Sequence, residues 1–218
     1  MEYQPQQPPT TEVRKAAHDI ERRAIGEVME IRAMDGGKKK IRGYALKWNQ
    51  RYNMGWFTEE IHRDALKGAD LTDVRALLNH DPNFVLGRTT AGTLTLREDE
   101  TGLAYEIELP DTQAARDLAV SIERGDINQS SWGFTLRIDD ETDGQVWKRE
   151  NGRDVRTITS VRQVFDVSPV TFPANPDTTV AKRSYDALRA EQEALEAAKQ
   201  KHEQTLQRRR AEIDILLP

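Results

Sequence analysis

The chain has 218 residues and no cysteine; 32% of its residues are charged, and its net charge is -5. Disulfide staples, thiolate zinc sites and cysteine nucleophiles are therefore excluded, and the acidic balance leaves no overall basic footprint for nucleic acid. No apolar run reaches the roughly 20 residues of a membrane helix, so a soluble cytoplasmic protein is expected, with one globular domain between polar or helical ends.

Residues 1–24 read as a Gln- and Pro-rich polar arm without an apolar signal core, with a helical turn or two at 13–23. From Gly26 the pattern becomes extended: Val28 and Ile31, then Ile41, Tyr44 and Leu46, with Asp35-Gly36-Gly37 between them as a hairpin turn. Residues 57–66 suit a short helix or an irregular connection. Val74-Arg75-Ala76-Leu77-Leu78 predicts a buried strand that stops at the turn chemistry of Asn79-His80-Asp81-Pro82. Two period-two segments follow, 93–96 and 103–109, joined by the turn Asp99-Glu100-Thr101-Gly102.

A helix is predicted next, with Asp111 as N-cap, Ala115, Leu118, Ala119 and Ile122 at helical spacing, and Gly125 at C′. Residues 130–138, 145–148, 156–165 and 167–172 read as strands, and Pro173 and Pro176 close the globular part. From Ser184 the composition is that of a long charged helix. Leu188 and Leu195 share one heptad position, and Tyr185, Leu206 and Ile213 share another. Gln192, Lys199, His202 and Arg209 interrupt both, so a solvated helix or one packed on a partner stands beside a coiled coil. Arg208-Arg209-Arg210 is read as a helix end whose cations complement the dipole. The expected plan is an arm over 1–24, a globular domain over 25–183 and a helical tail over 184–218. The expected class is α+β, a small, mostly antiparallel β-barrel or sandwich with inserted helices.

Few residues suit chemistry. His18 and His202 lie in polar surroundings, and His62 sits in a connecting segment. His80 follows a buried strand, where a rigid scaffold can hold an imidazole at a cleft; it serves either a structural role or that of a general base. In Gln129-Ser130-Ser131-Trp132-Gly133-Phe134, period two places Trp132 and Phe134 on one face and Ser131 and Gly133 on the other. Glycine there leaves room for a neighbour such as a substrate backbone, while Ser131 is a strand cap or a nucleophile. There is no HExxH, close histidine pair or phosphate loop, so neither metal nor cofactor is expected.

These segments resemble the prohead proteases of tailed phages over about residues 41–183. The blocks occur in order: Ile41-Arg42-Gly43-Tyr44-Ala45; 74–81 with Leu86-Gly87-Arg88; Gly102-Leu103 with Leu109-Pro110-Asp111-Thr112; Gly125-Asp126-Ile127 leading to Ser131-Trp132-Gly133-Phe134; and Val167-Ser168-Pro169-Val170 with Pro173-Ala174 and Arg183. The family's usual phenylalanine is replaced by Trp132.

The resemblance implies a capsid-maturation serine endopeptidase related to the herpesvirus assemblins, a β-barrel surrounded by helices. Its nucleophile would be Ser131, with a one-residue ambiguity to Ser130, and its base would be His80. The acid before Val-Ser maps onto Asp166 as third member, with Asp81 and Glu108 as substitutes. The second histidine of the herpesvirus enzymes has no counterpart between Ser131 and His202. Oxyanion donors would be sought near 173–176. The implied partners are major capsid protein, scaffold segments and other copies of the chain, which would cleave itself inside the procapsid in the host cytoplasm. No nucleic acid or membrane is implied. The competing readings are an inactive scaffold-like assembly protein and a β-barrel binding module with a helical tail.

Overall fold

The computed structural model describes residues 20–25, 30–33, 39–139, 142–172 and 179–216. The chain divides into two compact units, Met1–Thr178 and Thr179–Pro218.

Among the described residues of the first unit, thirteen strands run in chain order: β1 (Glu21–Ile25), β2 (Glu30–Ala33), β3 (Lys39–Lys47), β4 (Tyr52–Asn53), β5 (Thr58–Ile61), β6 (Arg75–Leu78), β7 (Asp81–Arg88), β8 (Leu94–Glu98), β9 (Gly102–Glu108), β10 (Gln129–Leu136), β11 (Gln145–Glu150), β12 (Arg153–Ile158) and β13 (Val161–Val170). Helix α1 (Gln113–Glu123) separates β9 from β10. They form three sheets, of order β1-β10-β13-β6-β7, β11-β12-β5-β4 and β2-β3-β9-β8. Pairing is antiparallel except between β12 and β5 and between β13 and β6.

The mixed, mostly antiparallel character matches the expectation, but among the described residues the sheets do not close into a barrel. Closure requires every strand to have two ladder neighbours. Here β1 and β7, β11 and β4, and β2 and β8 each end a sheet. The sheets meet through side chains instead. Ile41, Leu46, Leu103, Ile107, Trp132, Phe134, Val164 and Val167 share one core, each large side chain stabilising by about 1.5–3 kcal/mol on burial. Where β7 comes closest to the segment before β8, Gly87 makes the approach possible. A Cβ there would stand 2.8 Å from the Thr93 carbonyl oxygen.

Several local expectations are met. Helix α1 buries Ala115, Leu118, Ala119 and Ile122, and Gly125 (φ 80°) follows it in the left-handed region. Its N-cap is Thr112 rather than Asp111: the Thr112 hydroxyl accepts from Ala115 N at 3.3 Å, while Asp111 pairs with Arg116. The Asp99 turn holds because its carboxylate accepts from Thr101 N (2.8 Å) and Gly102 N (3.1 Å).

Other expectations change. Residues 58–61, read as helix or connection, form β5 beside β12. The strand predicted over 156–165 breaks at Thr159 and Ser160, whose amides both donate to the Gly144 carbonyl. Strand β13 then runs unbroken from Val161 to Val170, with bulges where β10 faces it. The turn at 35–37 lies outside the described residues.

The largest revision concerns the arm. Residues 21–24, assigned to it, form an edge strand together with Ile25, with Ala24 paired to Ser131. The reason is a buried lattice of four charges. Arg156 donates to Glu21 (2.8 Å) and Glu59 (2.8 Å), and Arg23 donates to Glu59 (2.9 Å) and Glu21. Burial alone would raise the Glu21 carboxyl, but the Arg156 and Arg23 guanidiniums outweigh it and pull it down to about 2. The two carboxylates and two guanidiniums balance, which lets a charged strand be buried.

The second unit is helix α2 (Thr179–Leu216), the charged helix predicted from Ser184.

Candidate active site

His80 is held by the hairpin between β6 and β7, in which Leu78 pairs with Asp81. Both central residues have positive φ, Asn79 at 55° and His80 at 58°, as a type I′ turn requires. Asparagine tolerates that conformation; histidine does so less readily, at a penalty of about 1–2 kcal/mol. Asn79 supplies compensating bonds. Its N–H donates to Pro169 O (2.9 Å), its Oδ1 accepts from Thr171 N (2.8 Å), and its Nδ2 donates to Thr171 Oγ1 (3.2 Å). The turn is thereby clipped to the end of β13.

Strands β10 and β13 bring up the other groups. Their register sets Ser131 opposite Ser168 and Gly133 opposite Asp166. Paired and alternate residues share a face, so all four lie on the side from which His80 arrives. His80 Nδ1 is 2.5 Å from Asp166 Oδ1, and His80 Nε2 is 2.6 Å from Ser131 Oγ. An ionised carboxylate can only accept, so Nδ1 bears the proton and bare Nε2 accepts from the Ser131 hydroxyl. Ser168 Oγ donates to the same Asp166 Oδ1 at 2.6 Å.

The serine doublet divides by face. Ser130 Oγ and Tyr105 Oη lie 2.5 Å apart in the interior, and burial pushes the Tyr105 phenol up. Trp132 and Phe134 stack in the core with centroids 3.9 Å apart. Ser131 alone of the doublet meets the histidine. Gly133 also finds its reason here: a Cβ would overlap Asp166 Oδ2. The space that glycine leaves is filled by the Asp166 carboxylate, not by a substrate backbone.

The alternative acids stand elsewhere. Asp81 Oδ1 accepts from Asn83 N (2.9 Å) and Nδ2 (2.8 Å), an Asx turn opening β7, and Glu108 pairs with Lys40 at 3.1 Å. His62 and His202 are exposed, while His18 and the 173–176 loop lie outside the described residues. Sequence reading missed Asn79 and Ser168 as parts of the site. Their signals were available: asparagine beside histidine in a two-residue turn, and serine two places after aspartate on a strand.

A hydroxyl, an imidazole and a carboxylate joined in series by two short hydrogen bonds are the equipment of a serine hydrolase: the imidazole can take the hydroxyl proton while the carboxylate holds its tautomer. The sequence profile of the caudovirus prohead serine proteases matches residues 27–191. The chain belongs to that family and is, in general terms, a serine protease of capsid maturation. Among solved structures it is similar to the bacteriophage T4 capsid assembly protease, gp21, with 13% identity over 71% of this chain and 98% of that one, at a TM-score of 0.44. No curated protein matches.

Proposed function

We propose that the chain is a serine endopeptidase acting through an acyl-enzyme, with Ser131 as nucleophile, His80 as general base and then acid, and Asp166 as the group that orients and stabilises the imidazolium. The observation that carries this reading is the pair of contacts at His80, 2.5 Å to Asp166 and 2.6 Å to Ser131. Ser131 Oγ attacks a peptide carbonyl as its proton passes to His80 Nε2, and His80 returns that proton to the leaving amine. Water, deprotonated by the same nitrogen, then resolves the ester.

The substrates are extended arms of scaffold and capsid protein, and the chain itself, met inside the procapsid in the host cytoplasm. The protease domain includes β1 and so begins before residue 25, and the helical tail, which starts at Thr179, delivers it. Helix α2 has 38 residues and so is about 57 Å long at 1.5 Å per residue, enough to present a continuous docking face to scaffold or capsid-protein arms.

The test is to incubate the purified chain and its Ser131→Ala variant, alone and with capsid protein, and to compare fragments by mass spectrometry. Cleavage by the parent only, with fluorophosphonate labelling at Ser131, is expected. Intact masses in every mixture and no labelling of folded parent would overturn the reading.

A further inference from the structure

We infer that Ser168 is a positioning residue of this site, fixing Asp166 for His80 through a hydrogen bond to the oxygen that His80 itself uses. The inference rests on the reading of Ser131, His80 and Asp166 given above.

Asp166 and Ser168 are two apart on β13, so both side chains stand on one face. Ser168 is buried at 0% exposure, so no solvent competes for its hydroxyl. That hydroxyl reaches Asp166 Oδ1 at 2.6 Å, and His80 Nδ1 reaches the same oxygen at 2.5 Å. A carboxylate oxygen accepts two donors through its two lone pairs. With both filled, the carboxylate cannot rotate about its Cβ–Cγ bond without breaking two charge-assisted bonds. Gly133 closes the other side, since its missing Cβ is the space occupied by Oδ2.

A second consequence concerns the nucleophile. Ser168 is the Cα partner of Ser131 across the ladder, and side chains so paired have Cβ atoms about 4.5–5.5 Å apart. A serine has one proton to give. Because that of Ser168 is committed to Asp166, it does not donate to Ser131, whose lone pairs stay free for attack.

The experiment uses the full chain and its Ser168→Ala and Ser168→Cys variants. Three quantities are read: the second-order rate of Ser131 labelling by a fluorophosphonate, the downfield proton resonance of the His80–Asp166 hydrogen bond, and the thermal unfolding midpoint. Labelling is expected to slow about tenfold in the alanine variant, and the resonance to move because Oδ1 loses its competing donor. The cysteine variant leaves no cavity but replaces the hydroxyl by a bulkier, weaker donor and is expected to follow alanine; it serves alone should the alanine variant fail to fold. A folded variant with parental rate and an unmoved resonance would overturn the role of Ser168 and leave the site reading intact. A folded parent that takes no label would overturn that reading, and this inference with it.

Discussion

His80 Nδ1 and Asp166 Oδ1 stand 2.5 Å apart, although one residue lies in a left-handed turn and the other in the middle of β13. The contact defines which ring nitrogen faces Ser131. Asp166→Asn keeps the shape of the side chain but offers an amide whose N–H₂ favours the other tautomer. Hydrolysis is expected to fall by about four orders of magnitude, as it does for such a change in a serine triad. The unfolding midpoint should move little. Retained activity in Asp166→Asn would show that another group orients His80.

Gly133→Ala tests the packing beside that contact. The added methyl collides with Asp166 Oδ2, and either the carboxylate or β10 must shift. Displacement by about 1 Å is enough to reduce turnover by about 100-fold. Circular dichroism should still report a folded chain, which separates a misplaced carboxylate from a lost fold.

At Asn79 two substitutions divide backbone from side-chain effects. Asn79→Gly keeps the positive φ but removes the bonds to Thr171; Asn79→Ala loses both. Both are expected to lose activity, with alanine the less stable by about 1 kcal/mol because a Cβ is unfavourable in the left-handed region. Denaturant unfolding and peptide hydrolysis measure the two effects.

Acid should loosen β1. Glu21 is held at about 2 in the folded chain against an ordinary 4.5, a depressed value. Its contribution is therefore complete above about pH 4.5 and is lost as pH falls toward 2. Glu21→Gln leaves Arg156 and Arg23 short of a carboxylate and should cost about 3–5 kcal/mol at neutral pH. Its midpoint should also decline less steeply than the parent's between pH 4.5 and 2. Parallel curves would mean that Glu21 is not the group whose protonation matters.

Trp132 Nε1 is buried without a hydrogen-bond partner. Trp132→Phe removes that unsatisfied donor but leaves a gap beside Phe134. The two effects oppose each other, at about 1–3 kcal/mol for the donor and a similar amount for the lost volume. Stability within about 1 kcal/mol of the parent is expected by denaturant unfolding.

What could be read from the sequence was what short-range periodicity encodes. Four residues of α1 showed its buried face, and alternation around Trp132 put Ser131 on the face opposite the core. The turn residues after Leu78 marked where His80 would stand. What could not be read depended on partners distant in the chain. Glu21-Arg22-Arg23 looks like a solvated arm until Glu59, 36 residues beyond Arg23, and Arg156, 135 beyond Glu21, are brought to it. Gly133 suggested room for a substrate because nothing local says that Asp166 will occupy it. Closure of the sheets likewise depends on edge pairing, which alternation within single strands does not specify.

The pairing of Ala24 with Ser131 on one side of β10, and of Ser168 with Ser131 on the other, puts Ser131 in mid-sheet. At about 4.8 Å per strand, a polypeptide joined to the outer edge of β1 would lie about 10 Å from the β10 backbone, and one joined to β7 about 19 Å. Neither position permits bond formation with Ser131 Oγ. If Ser131 is the attacking group, a chain to be cut must lie across the face of the sheet that bears His80, held by groups other than a continuous ladder beside β10. The alternative is for β1 to peel away first, and the Glu21–Arg156 lattice is then the latch that has to open.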